Sequence, residues 1–343
     1  MRLPILKNRP GRFNFVKEVS VLYCDMKFSH FSTNADANMR HFLDFNDWTT
    51  KELWQMIQLA AYLKLEWQAG GNRPVLKGKT LGMVFQKPSL RTRVSFDVAM
   101  QQLGGHAIMI GPDEIGLGKR ESIPDVARVL SGYVQGIMAR VFDHNHLEQL
   151  AAYSSVPVIN GLSDDRHPCQ ALADMFTIYE HVGRLSGLKL AFVGDGNNVA
   201  ASLLLACAHF GIHFAIASPP NYELPAKVMV AATDFARQSG ATIATYNDPE
   251  PAVVGADIIY ADTWVSMGQE SDTEKRLRDF KCFQVNQQLV ERANKDVAVM
   301  HCLPAHRGQE ISDEVADGPH SIIFAQAENR LHAQKAILVK LMT

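Results

Sequence analysis

The chain has 343 residues, more than one hydrophobic core comfortably fills, so two domains are expected. With 47% hydrophobic and 20% charged residues and a formal net charge of -2, it has no general electrostatic pull toward nucleic acid or membrane, so an anion must be held by a local site. Five scattered cysteines (Cys24, Cys169, Cys207, Cys282, Cys302) argue against a disulfide framework and for a reducing cytoplasm, and apolar runs such as Val199 to Cys207 are too short to span a bilayer.

Residues 1–38 stand apart from the rest. They mix basic residues with a few acids, end in a polar Ser-Thr-Asn-Ala-Asp-Ala-Asn stretch, and lack the apolar core of a secretory signal. A disordered extension, or translation from a start upstream of Met39, is expected there, with an Arg-containing mitochondrial presequence as the alternative. From Met39 onward short apolar runs alternate with helical periodicity. Thr49-x-x-Glu52 reads as a capping box opening a helix with Leu53, Met56, Ile57 and Ala60 on one face, stopped by Gly70-Gly71. Leu81 to Phe85 reads as a buried strand, followed by a helix through Phe96, Ala99, Met100 and Leu103. Strand-like runs follow at His106 to Ile110, Gly136 to Phe142 and Val156 to Ile159.

A helix over Pro168 to Val182 then leads to a second series. Its strand-like runs are Leu188 to Val193, Ile212 to Ala217, Ile243 to Ala244, Asp257 to Tyr260 and Val297 to Met300. A closing helix is expected over Glu328 to Met342, long enough to cross back to the first domain. Two βα series imply an α/β fold of two doubly wound domains with mainly parallel sheets, linked by helices. The expected division is residues 39–166, a linking helix at 167–183, and residues 184–327, with 328–343 packing back on the first unit.

Ligands of such sheets bind beyond the carboxyl ends of the strands. Gln86-Lys87-Pro88-Ser89-Leu90-Arg91-Thr92-Arg93 follows the first strand. Hydroxyls, a guanidinium and free helix N–H groups make it a candidate phosphate site, although a polar helix start with solvated arginines explains it almost as well. Arg140 lies in one run, and Asn160 ends another before His167-Pro168-Cys169-Gln170. Gly194-Asp195-Gly196-Asn197-Asn198 lacks the third glycine of a dinucleotide turn and reads better as a tight turn with an Asn or Asp cap. Asp262 and Ser266-Met267-Gly268 follow the eighth run, and His301-Cys302-Leu303-Pro304-Ala305-His306 follows the last. His301, Cys302 and His306 are near in sequence, but no second ligand pair supports a metal site.

Together these motifs resemble the aspartate and ornithine carbamoyltransferase family from about Met39 to the C-terminus. Ser-x-Arg-Thr-Arg and His-Pro-x-Gln resemble its carbamoyl phosphate signatures. Asp262, Ser266-Met267-Gly268 and His301-Cys302-Leu303-Pro304 resemble the ornithine branch. The resemblance implies transfer of the carbamoyl group of carbamoyl phosphate to the side-chain amine of ornithine, giving citrulline, without metal or other cofactor, in a homotrimer. It further implies that Ser89, Leu90, Arg91 and Thr92 hold phosphate. Arg140 and His167 would face the carbamoyl oxygen, Gln170 and the Cys302 and Leu303 carbonyls the carbamoyl amine, and Arg330 would complete the site. Asn160, Asn198, Asp262, Ser266 and Met267 would bind ornithine, with Arg140, His167, Asp262 and Cys302 as the catalytic set.

Three positions depart from the family pattern. Leu90 replaces a common Thr, and Gln86 replaces a usual Glu. Gly116 stands where many relatives carry a His or Gln reaching into a neighbouring subunit, a role Lys119 or Arg120 would have to take. Rival readings are a carbamoyltransferase for N-acetylornithine, N-succinylornithine or putrescine, a catalytically silent binding protein, and a nucleotide-binding dehydrogenase.

Overall fold

The computed structural model describes residues 39–343, so the expectation for residues 1–38 lies outside the described residues. The capping box forms as read. Thr49 accepts from the Glu52 N–H, Glu52 returns to the Thr49 backbone, and helix Thr50–Gln68 buries Leu53, Met56, Ile57 and Ala60. Among the described residues nine strands follow in chain order. They are β1 (Thr80–Phe85), β2 (His106–Ile110), β3 (Gly136–Arg140), β4 (Val158–Leu162), β5 (Lys189–Val193), β6 (His213–Ala217), β7 (Ile243–Tyr246), β8 (Ile258–Ala261) and β9 (Ala298–His301).

The strands form two sheets, ordered β2-β1-β3-β4 and β7-β6-β5-β8-β9, and every named pair is parallel. Strand order reverses between β1 and β3 in the first sheet and between β5 and β8 in the second. Phe85 is in register with Arg140, and Val193 with Ala261, so the chain leaves each pair of inner strands at a common level. Both reversal points therefore open the crevices where ligands of doubly wound sheets sit.

Each sheet is covered on both faces, which is why its strands read as continuous apolar runs. Leu190 and Phe192 of β5 join a core shared with Leu81 and Met83 of β1, while Ala191 and Val193 face a second cluster with Trp264 and Phe280. The linking helix Pro168–Val182 is buried over its first eleven residues, and the closing helix packs against it and against helices Thr50–Gln68 and Leu90–Gln102. The closing helix spans Ile323–Met342, five residues longer at its start than expected. Its first turn has no side-chain cap to announce it, and burial of Ile323 and Gln326 against the sheets supplies the stability a cap would have given. No helix among the described residues is long and apolar enough to cross a membrane.

Candidate active site

The two crevices face one cavity of about 1100 Å³ between the sheets. From the first sheet it is lined by Ser89, Leu90, Arg91 and Arg140, from the linking helix by His167 and Gln170, and from the closing helix by Arg330. Asn198, Asp262, Ser266, Met267, Cys302 and Leu303 line the opposite side. Thr92 and Asn160 do not line it. Both are fully buried behind the wall: the Thr92 hydroxyl accepts from Arg330 Nη2 at 3.0 Å, and Asn160 Nδ2 donates to the Leu43 carbonyl at 3.0 Å.

Ser89 caps helix Leu90–Gln102 by accepting from the Thr92 N–H at 3.2 Å, so the first-turn N–H groups point toward the cavity end of the helix. Around that end stand three guanidiniums, Arg91, Arg140 and Arg330, none of which makes an ion pair among the described residues. Burial and its two arginine neighbours lower the Arg140 pKa to about 10. The Nε atoms of Arg140 and Arg330 are buried without a partner among the described residues. Three mutually repelling cations with unspent donors define a site for a multiply charged anion.

His167 sits beside them, its backbone N–H donating to Ser202 Oγ at 2.7 Å. Complete burial, with Arg330 and Arg140 nearby, holds its pKa well below the ordinary histidine value, so the imidazole is neutral. Its Nδ1 and the Gln170 Oε1 are buried and unpartnered.

The opposite wall is internally satisfied. Asp262 accepts from Cys302 Sγ at 2.9 Å, from Asn197 Nδ2 at 2.7 Å and from the Thr263 N–H at 2.8 Å. Asn197 also caps helix Asn198–Phe210 by accepting from Val199 and Ala200, and Gly196 lies so close to Glu223 and Leu224 that a Cβ would meet backbone at 2.4 Å. The turn is thus a packed cap. Asn198 Nδ2 donates to the Ser163 carbonyl at 2.6 Å, bridging the two domains. The Ser266-Met267-Gly268 loop is held by its own sequel: Gln269 accepts from the Ser266 N–H, and Glu270 from the Gly268 N–H.

Burial and the adjacent Asp262 raise the Cys302 pKa well above the ordinary thiol value, so Cys302 is a protonated donor rather than a thiolate nucleophile. Asp262, His301 and Cys302 bring three donor atoms within 4.8 Å of one another. Both His301 nitrogens are already engaged, however. Nδ1 accepts from the Leu303 N–H at 2.9 Å, and Nε2 therefore carries the proton it donates to Glu310 at 3.1 Å. The imidazole of that trio is committed to shaping the loop. Leu303 itself adopts φ 58°, a left-handed conformation costly for leucine, at the point where the strand turns into the cavity.

Residues 40–180 match the pattern described as "Aspartate/ornithine carbamoyltransferase, carbamoyl-P binding domain", and residues 186–341 the partner "Asp/Orn binding domain". The chain belongs to the aspartate/ornithine carbamoyltransferase family. It is 52% identical over 303 residues to an ornithine carbamoyltransferase of Anoxybacillus flavithermus, covering 88% of this chain and 96% of that one. The solved ornithine carbamoyltransferase of Pyrococcus furiosus superposes with a TM-score of 0.86 at 51% identity, covering 88% of this chain and 97% of that chain. A mitochondrial ornithine carbamoyltransferase from Coccidioides immitis gives 0.83 at 38% identity, covering 89% and 98%.

Several lining residues escaped the sequence reading. Lys87 is a buried ammonium paired with Asp164 and lying 4.4 Å over the Phe142 ring. Asp195 pairs with Arg276 Nη1 at 2.7 Å, and Arg276 also donates to the Trp264 carbonyl. Partners this distant in sequence leave no local signal. Asn197 did have one, as the first Asn of the cap pair. Gly116, by contrast, is explained by its own backbone. It has φ 52°, and a Cβ there would lie 2.7 Å from Arg120 Cβ, so the path of this loop favours glycine.

Proposed function

We propose that this protein is an ornithine carbamoyltransferase, making L-citrulline and phosphate from carbamoyl phosphate and L-ornithine. The observation that carries the reading is the charge layout of one cavity: three unpaired guanidiniums at the end of a helix, facing a carboxylate about which neutral donors are already arranged. A phosphorylated acyl donor fits the first end and an amino acid bearing ammonium groups the second. The unit 39–166, on which the closing helix folds back, takes carbamoyl phosphate in this reading, and the unit 184–327 takes ornithine.

In the reaction the neutral side-chain amine attacks the carbamoyl carbon, a C–N bond forms, and the C–O bond to phosphate breaks. Arg140 and neutral His167 receive the charge developing on the carbamoyl oxygen. Arg91, Arg330, the Ser89 hydroxyl and the Leu90 N–H take the departing phosphate, with Thr92 acting through Arg330. The proton released by the attacking amine passes to a phosphate oxygen, so no dedicated protein base is required. Gln170 Oε1 and the Cys302 and Leu303 carbonyls accept from the carbamoyl amine. Asp262, Asn198, Ser266 and Met267 hold the amino-acid end of ornithine, with Asn160 supporting the wall. Because the amine must be uncharged to attack, turnover rises toward alkaline pH.

The assembly we infer is a homotrimer. Its support is an open sheet edge among the described residues: β2 ends the first sheet with Ile108 and Met109 exposed, and Lys119 and Arg120 stand outside this chain's own cavity.

Purified protein given carbamoyl phosphate with ornithine, N-acetylornithine, putrescine or aspartate decides the matter through phosphate release and product mass. Citrulline from ornithine alone is the expected result. Turnover with another amine alone would overturn the acceptor assignment, and binding without turnover would make this a silent binding protein.

A further inference from the structure

The linking helix carries a buried acid that the reaction just described leaves unused. Asp174 lies one turn beyond Gln170 in helix Pro168–Val182 and is fully buried. No cation pairs with it among the described residues; Arg330 acts on it only at longer range. Instead three neutral donors converge on its carboxylate. Gln170 Nε2 reaches Oδ1 at 2.8 Å, Gln326 Nε2 reaches Oδ1 at 2.7 Å, and the Tyr260 hydroxyl reaches Oδ2 at 3.0 Å.

These donors come from three elements: the linking helix, the closing helix and β8. The direction of each bond is forced. Gln326 Oε1 accepts from the His301 N–H at 2.8 Å, which leaves its Nε2 to donate to Asp174 and to the Tyr260 oxygen at 3.0 Å. Tyr260, having accepted, gives its own proton to Asp174. Gln170, Gln326 and Tyr260 therefore each send a hydrogen to one carboxylate, and an ionised carboxylate can only accept.

Gln170 must consequently turn its amide nitrogen inward to Asp174. Its other end, Oε1, is buried, unpartnered and part of the cavity wall. A glutamine amide without such a neighbour can rotate end for end at almost no steric cost, since N and O are nearly the same size. Rotated, Gln170 would present N–H groups to the substrate in place of a carbonyl.

We propose that Asp174 is a positioning residue that locks the Gln170 carbonyl toward the cavity, and that this lock lets the site distinguish an acyl phosphate bearing –NH₂ from one bearing –CH₃. The proposal rests on the carbamoyltransferase reading, because it assumes that Gln170 faces the amino group of the donor.

Two stable analogues test it: phosphonoacetamide, which carries the amide, and acetonylphosphonate, which replaces –NH₂ by –CH₃ and keeps the phosphonate and carbonyl. Calorimetric affinities are measured for both with the wild type, Asp174→Asn and Gln170→Ala. The wild type is expected to prefer the amide by at least roughly tenfold, since each neutral hydrogen bond is worth up to about that much. Asp174→Asn, whose own amide can donate to a rotated Gln170, should narrow that preference to the level Gln170→Ala shows, what the Cys302 and Leu303 carbonyls alone supply, with acetonylphosphonate bound as before. A merely structural role for Asp174 would weaken both ligands together, and that result overturns the proposal. A preserved preference in Asp174→Asn alongside its loss in Gln170→Ala also overturns it, while leaving Gln170 as the reader of the amide. A preference undiminished in Gln170→Ala overturns it by removing Gln170 from recognition. Failure of the wild type to bind either phosphonate would instead sink the carbamoyl-donor reading itself. If Asp174→Asn does not fold, Asp174→Ala, which replaces a buried charge by the strongest helix former, is held to the same outcomes.

Discussion

The two halves of the cavity are built on opposite electrostatic plans. At the ends of β1 and β3, Arg91, Arg140 and Arg330 repel one another, and two buried Nε atoms have no acceptor. At the ends of β5 and β8 nearly every charge is already answered: Asp195 by Arg276, and Asp262 by Cys302, Asn197 and the Thr263 N–H. The first half is incomplete until an anion arrives. The second is a finished scaffold whose acid is aimed rather than waiting. The difference teaches that carbamoyl phosphate relieves repulsion on binding, whereas ornithine is selected by geometry. The order of addition expected from this contrast is anion first, which product-inhibition patterns would check.

Removing a cation from the incomplete half should do the most damage. Arg140→Ala is expected to lower kcat by ~10²–10³-fold, the usual cost of deleting a donor to a developing oxyanion. Steady-state kinetics with both substrates saturating measure this, and a loss confined to KM would mean that Arg140 only binds. On the finished half, Asp262→Asn should raise the KM for ornithine by roughly 10–100-fold, since a hydrogen bond to a charged group is worth ~1.5–3 kcal/mol. Carbamoyl phosphate affinity should hardly move in that variant. A matched loss for both substrates would erase the contrast between the halves.

A third expectation concerns the acid between them. Burial lifts Asp174 from 3.8 to about 7, so between those values the folded protein holds a proton that the unfolded chain has released. Stability therefore falls as pH rises through that window and levels off above it. Asp174→Asn lacks this component, so its Tm relative to wild type should become more favourable from pH 5 to pH 8. A flat difference across melting curves at several pH values would show that Asp174 is already ionised in the folded state at pH 5, its pKa not raised. Above the window the carboxylate is ionised, the form that holds Gln170 in place and the range in which the ornithine amine becomes reactive.

The smallest effect is expected at Asn197. Asn197→Ala removes a helix cap worth ~1 kcal/mol and one of the hydrogen bonds orienting Asp262. Chemical denaturation should register the first loss, and a modest rise in the ornithine KM the second. Asn197→Asp should recover the cap without the donor, so stability should return while KM does not.

Much of this was written in one dimension. Apolar runs bounded by polar strand ends, the Thr49 to Glu52 capping box and the glycine stops specify local structure through contacts within a few residues. Two βα series with covered strands leave little choice but two parallel sheets. The polar clusters were legible for the same reason, because the carboxyl ends of strands are marked by where apolar runs stop. Even Asp174 had a local trace, a Gln and an Asp four residues apart on a helix. The tertiary structure alone decided which charges are answered. Arg276 finds Asp195, Thr92 withdraws behind the wall to hold Arg330, Asn160 turns to Leu43, and the closing helix begins at Ile323 because its first turn packs before it caps. These are pairings across tens to hundreds of residues, settled by where two sheets and two helices bring side chains together, and no periodicity along the chain encodes them.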